Sequence, residues 1–164
     1  GCRLDEIALL NWEQIKTDQQ NIRYIDLATN ARVKNKNSKR LVPIPDIIAL
    51  PDRLTGRLFS YKIDSDGKAS RSAGKILLSK YIHKIRYDND NKKTVHSLRH
   101  NFIGFLDNLN PPIAESLKDW ITGHGSSGNM TESERKRTYG SDPDLSLKYD
   151  AINRIRHPWL KPEK

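Results

Sequence analysis

Two imidazoles and a guanidinium fall within five residues at His96-Ser97-Leu98-Arg99-His100. On a helix, residues three and four apart share a face, so His96 lines up with both Arg99 and His100. Leu98 and Phe102, also four apart, share a different face that is expected to point at a core. The first turn of a helix adds unpaired N–H groups and the positive end of the helix dipole, which suits a phosphate. Alone, the stretch reads first as a cationic helix face with two structural histidines. The rest of the chain changes that reading.

Arg3 stands at the start of an apolar pattern, Leu4, Ile7, Ala8 and Ile15 with Trp12 between, which predicts an amphipathic helix from Leu4 to Ile15. Taken by itself, Arg3 is a surface partner for Glu6 one turn later, an interaction of about 0.2–0.5 kcal/mol. Alternation over Ile22 to Leu27 predicts a strand closed by a Thr29-Asn30 turn. Two further strands, 31–34 and 40–44, are expected around the polar turn Asn35 to Lys39, so that Lys34, Lys36 and Lys39 project from a hairpin tip. Asp46 is placed to cap a short helix through Leu50. Asp64 to Lys68 reads as a loop and Ser72 to Tyr87 as a helix, in which His83 has a structural role.

Thr94 is the expected N-cap of the His96 helix, which should end near Asn110 because Pro111-Pro112 cannot continue it. A short helix over 113–121 then ends at Gly123-His124-Gly125. Arg135-Lys136-Arg137 stands just before Tyr139-Gly140. Leu145, Tyr149, Ile152 and Ile155 mark a last amphipathic helix that stops before Pro158.

The 164 residues suit one domain, large enough to bury a core without disulfides or metal. Lys and Arg number 29 against 20 for Asp and Glu, a net charge of +9 with a pI near 9.7. That balance points to a polyanionic partner, nucleic acid first and an anionic membrane surface second. No apolar run approaches the roughly 18 residues of a spanning helix, so a soluble protein is expected. Cys2, the single cysteine, excludes an internal disulfide and a cysteine-rich zinc site and fits a reducing, cytoplasmic setting. The opening Gly-Cys-Arg-Leu-Asp-Glu reads like the middle of a domain, so truncation at the N-terminus is expected.

In sequence order, Arg3, a lysine-tipped hairpin, His96-x-x-Arg99, Gly123-His124 and Tyr139 together resemble the catalytic domain of the tyrosine recombinases, the phage integrase family. The resemblance covers nearly the whole chain, 1–164. Gly1 to Ile7 through Leu10-Asn11-Trp12 looks like the family's first box, Lys34 to Arg40 through Pro43-Ile44-Pro45 like its hairpin, and His96-Ser97-Leu98-Arg99-His100 like its second box. The fold this implies is α+β and mainly helical, a compact catalytic domain with a small three-stranded antiparallel sheet. The resemblance also implies a separate domain that would grip the other side of the duplex, expected to lie outside these 164 residues.

The reaction implied is site-specific cleavage and rejoining of double-stranded DNA through a covalent 3′-phosphotyrosine. Arg3 and Arg99 would clamp the non-bridging oxygens, whose charge grows as the phosphorane forms. Tyr139 would be the nucleophile, His96 the general base, and His124 a hydrogen-bond donor to a phosphate oxygen. Lys34, or alternatively Lys36, would protonate the leaving 5′ oxygen, and His100 would support the site. Tyr149 is the alternative nucleophile, since the interval from His124 to Tyr139 is long for the family. No metal or cofactor is implied, and the partners would be DNA and further protomers in a tetrameric synapse. Type IB topoisomerase chemistry, or an inactive DNA-binding relative, is the alternative.

Overall fold

In the computed structural model, which describes residues 1–29, 39–51, 55–85, 93–123 and 143–156, the first helix, α1, covers only Leu4–Ala8. The Leu10 N–H turns back to the Ile7 carbonyl at 3.1 Å. Beyond it the backbone pairs with a distant segment: the Trp12 N–H donates to the Gly56 carbonyl (2.9 Å) and the Leu58 N–H to the Leu10 carbonyl (2.8 Å). Those groups are satisfied without helix, so the helix expected through Ile15 stops at Ala8. Trp12–Gln14 make one 3-10 turn, and Ile15 already belongs to a strand.

By its internal contacts the chain forms two compact units, each assembled from two separated stretches: Gly1–Glu13 with Leu54–Phe102, and Gln14–Arg53 with Ile103–Lys164. In the first, α2 (Ser70–Leu77) continues through a π-helical turn, Leu78–Ile82, into α3 (His83–Ile85), close to the helix expected over 72–87. The Asp5 carboxylate of α1 accepts the N–H groups of Ala69 (2.9 Å) and Ser70 (2.6 Å). An acidic group at that position satisfies orphan donors and meets the positive end of α2. Ala8, Ala69 and Ala73 form a core of small side chains, with Leu4, Leu9 and Tyr61 packed against it. The Asp64 to Lys68 loop is closed by its own Asp64 carboxylate, which accepts the Lys68 N–H at 2.8 Å.

The helix carrying the histidines, α4, runs Val95–Asp107. Thr94 precedes it as expected, and the hydroxyl of Ser97 accepts the Thr94 N–H at 3.0 Å.

The second unit holds a three-stranded antiparallel sheet in the order β1 (Ile15–Thr17), β2 (Arg23–Asp26), β3 (Leu41–Pro43). Ile25 faces Ile15 on one side and Val42 on the other. The expected strands at 22–27 and 40–44 are therefore present, while the one at 31–34 lies outside the described residues. The third described strand comes from Ile15–Thr17, which the helical pattern had claimed. Asp26 ends β2 by accepting the Ala28 N–H at 3.0 Å and also holds Lys16 at 2.6 Å.

Asp46 does not start a helix. Its carboxylate accepts the Tyr149 hydroxyl proton and the Asn153 side-chain amide (3.4 Å), while its own N–H donates to Asn153 Oδ1 (3.1 Å). Its carboxylate is directed to Tyr149 and Asn153, and Pro45 to Ile48 forms a turn instead.

α5 covers Glu115–Thr122 and α6 covers Leu145–Asn153. The Asp144 carboxylate caps α6 by accepting the Ser146 N–H at 2.8 Å. Gly123 closes α5 in the left-handed conformation, φ 67°, and a β-carbon there would stand 2.5 Å from Arg40 Nη1. Gly123→Ala should lower stability by about 2 kcal/mol, from left-handed backbone strain and displacement of Arg40, as read from the urea midpoint. An unchanged midpoint would show that Arg40 and the α5 terminus yield freely. Among the described residues no helix is long and apolar enough to cross a membrane.

Candidate functional site

Arg99, second in the His96-x-x-Arg99 pair, is buried at 6 % exposure, whereas Leu98 beside it is 50 % exposed. The expectation for Leu98 is thus reversed. A guanidinium can be buried when carbonyls receive its protons, and Arg99 Nη1 donates to the carbonyl of Gly1. A side chain at position 1 would collide with the ring of Phe102, so only glycine lets this segment lie so close to α4. The arginine of the second motif therefore ends on the backbone of the first. Gly1 is two residues from Arg3, a reach of about 7 Å at most along an extended chain.

Arg3 occupies the N-cap position of α1. Glu6, one turn on and buried, grips it twice: Oε2 accepts the Arg3 backbone N–H at 2.7 Å, and Oε1 accepts from Nη1 at 3.2 Å. Spacing had marked this as a surface pair, but burial of the acid makes Glu6 a positioning residue for Arg3. The charge of a buried carboxylate requires such a partner. Glu6→Ala should lower unfolding free energy by about 1–3 kcal/mol, because it removes a charge-assisted cap and the ion pair together. Glu6→Gln, which keeps the acceptor for the Arg3 N–H, should lose less. Equal denaturation midpoints for parent and Glu6→Ala would show that the pair holds nothing.

His96 and His100 share a face as their spacing required. Their ring centroids are 4.8 Å apart with planes at 87°, and both residues are exposed. His83 is also exposed, in α3. Lys34, Lys36, His124 and Tyr139 lie outside the described residues.

Tyr149 lies in α6, where its hydroxyl donates to Asp46 Oδ1. That hydrogen bond, with burial second to it, pushes the phenol above its ordinary value of 10.0. A tyrosine nucleophile must lose this proton, so the Asp46 contact works against Tyr149 in that role.

Two buried cations escaped the sequence reading. Arg40 and Lys148 are each 1 % exposed. Arg40 Nε donates to the Ile121 carbonyl at 3.1 Å, and Lys148 Nζ to the Leu41 carbonyl at 3.3 Å, 5.8 Å from the Trp120 ring centroid. Arg40 holds the C-terminal end of α5, where a helix presents its negative pole, and Lys148 ties α6 to β3 beside the Trp120 ring. Partners 81 and 107 residues apart leave no local signal in sequence.

Among the described residues, no group of three or more His, Cys, Asp or Glu side chains is placed to hold a metal ion. No protein-family model, curated protein or solved structure matches the chain.

Proposed function

We propose that the chain is the catalytic domain of a tyrosine-recombinase-like enzyme that cleaves and rejoins double-stranded DNA through a 3′-phosphotyrosine. The observation that carries this reading is the junction of Arg99 with the Gly1 carbonyl, which draws the first and second arginine motifs into one unit from opposite ends of a long sequence interval. Both arginine motifs then belong to one compact unit, in a chain of net charge +9.

In this reading, DNA docks through its phosphates and one phosphodiester lies against the guanidinium groups of Arg3 and Arg99. Planar forks suit the equatorial oxygens of the phosphorane and stabilise charge that develops only during reaction. Tyr139 attacks phosphorus, its proton passing to His96. His124 donates to a phosphate oxygen, and Lys34 protonates the departing 5′ oxygen. The phosphotyrosine conserves the bond energy, and the free 5′ hydroxyl reverses the step in rejoining. The working assembly is a synapse of protomers on DNA in the cytoplasm.

A suicide DNA substrate, nicked so that the cleaved end diffuses away, tests the reading by trapping a covalent adduct in denaturing gels. Absence of adduct across attachment-site and random duplexes would sink it. A substrate with sulfur in place of the bridging 5′ oxygen sharpens the test, because a thiolate leaves almost without a proton. Lys34→Ala should be inactive on ordinary DNA and regain cleavage on the sulfur substrate, while Arg99→Ala regains nothing. Rescue of Lys36→Ala, with Lys34→Ala active on ordinary DNA, would transfer the acid role to Lys36.

A further inference from the structure

We propose that His96 and His100 form a two-imidazole site for a divalent cation of the zinc, cobalt or nickel class, and that its occupancy silences the proton transfer assigned to His96. The regulatory half rests on the strand-cleavage reading above, while the site itself rests on geometry alone.

An i, i+4 histidine pair on a regular helix is the spacing with which helical metal sites present two ligands from one face. Here the two rings already stand near the chelating distance. With a metal–nitrogen bond of about 2.0–2.1 Å, each ring centroid lies about 3.2 Å from the metal, so two cis ligands place their centroids about 4.5 Å apart at a right angle and about 5.2 Å at the tetrahedral angle. The observed 4.8 Å falls between these values. The planes meet edge to face at 87°, so chelation requires a side-chain rotation that turns both nitrogens toward one point. Both residues are exposed, and neither ring makes a hydrogen bond or ion pair among the described residues.

The surroundings narrow the ligand. No third His, Cys, Asp or Glu side chain joins the pair among the described residues. Lys93 is exposed beyond the start of α4, and its N-terminal dipole is also positive. Electrostatics therefore opposes a hard cation held by charge alone. Imidazole nitrogens favour zinc, copper, cobalt and nickel through covalency, whereas magnesium and calcium require oxygen donors. A metallated His96 nitrogen has committed its lone pair and cannot accept the tyrosine proton.

The test titrates the protein with zinc chloride by calorimetry, with magnesium chloride as the control. One variant-sensitive equivalent of zinc is expected, weakened about tenfold or more in both His96→Gln and His100→Gln, since each leaves a single ligand in place of a chelate. Both positions are exposed on α4, and circular dichroism checks that each variant keeps its fold. Zinc affinity equal in the parent and both variants would overturn the site, leaving the rings as an edge-to-face pair. In the suicide-substrate assay, zinc should suppress adduct formation and EDTA restore it, with the ratio between the two conditions falling toward one in His100→Gln. Adduct formation indifferent to saturating zinc overturns the regulatory role. Variant-sensitive zinc binding with no adduct even in EDTA overturns the strand-cleavage reading and supports the site.

Discussion

Alanine at position 99 is expected to slow DNA cleavage by about a hundred- to a thousandfold while nonspecific DNA affinity changes little, because the guanidinium acts on charge that appears only at the transition state. The same change carries a structural effect. Arg99 is buried against the Gly1 carbonyl, and removing its donor should lower stability by about 1–3 kcal/mol. Lysine separates the two effects: its ammonium can still donate to a carbonyl, but it lacks the planar fork that matches two phosphate oxygens. Arg99→Lys should therefore recover most of the lost stability and little of the lost rate. Cleavage by Arg99→Ala within about twofold of the parent would remove Arg99 from the clamp.

Phenylalanine at position 139 should abolish the covalent protein–DNA adduct and leave DNA affinity unchanged, since one nucleophilic oxygen is lost and nothing else. Tyr149→Phe makes the complementary test. Its hydroxyl serves as a donor to Asp46, which anchors the turn after β3 to α6, and the contact raises the phenol's pKa. Losing that hydrogen bond should cost about 1 kcal/mol of stability and leave the adduct intact. Persistent adduct in Tyr139→Phe, with loss in Tyr149→Phe, would reverse the assignment. Denaturing gels separate the outcomes without any assumption about turnover.

Some of this was open to sequence reasoning because the signal was local. The period of a helix sufficed to align His96 with His100, and alternation with turn residues sufficed for β2 and β3. The errors share one physical origin, competition from partners far away in sequence. Leu98 was assigned inward because it is apolar, yet Arg99 took the buried position once the Gly1 carbonyl was there to receive its proton. Asp46 had the chemistry of a cap and spent it on Tyr149 and Asn153. Ile15 fitted a helical period, but the pairing of Leu10 to Trp12 with Gly56 to Leu58 released it to the sheet. Burial of Arg40 and Lys148 follows from carbonyls on other elements, which no window of sequence contains.

The alternation of the two units along the chain has a consequence during synthesis. Each unit is begun, left, and completed later: Gln14–Arg53 emerges with the three described strands, but α6, which packs on β3 and buries Lys148 against Leu41, comes about a hundred residues later. At about 5–20 residues per second, translation of the interval between Leu41 and Lys148 takes roughly 5–20 s. Through that time β3 lacks its cover, and a nascent sheet with an unprotected flank is open to pairing with other chains. The stretch Leu54–Phe102, inserted within the second unit and joined to residues already made, can meanwhile find its partner in Gly1–Glu13. In order of synthesis, every stretch of the unit carrying Arg3 and Arg99 is made before α6, the helix that packs on β3 in the sheet-bearing unit. A chain that lacks α6 would carry both arginine motifs together with a β3 that has lost the helix packed on it.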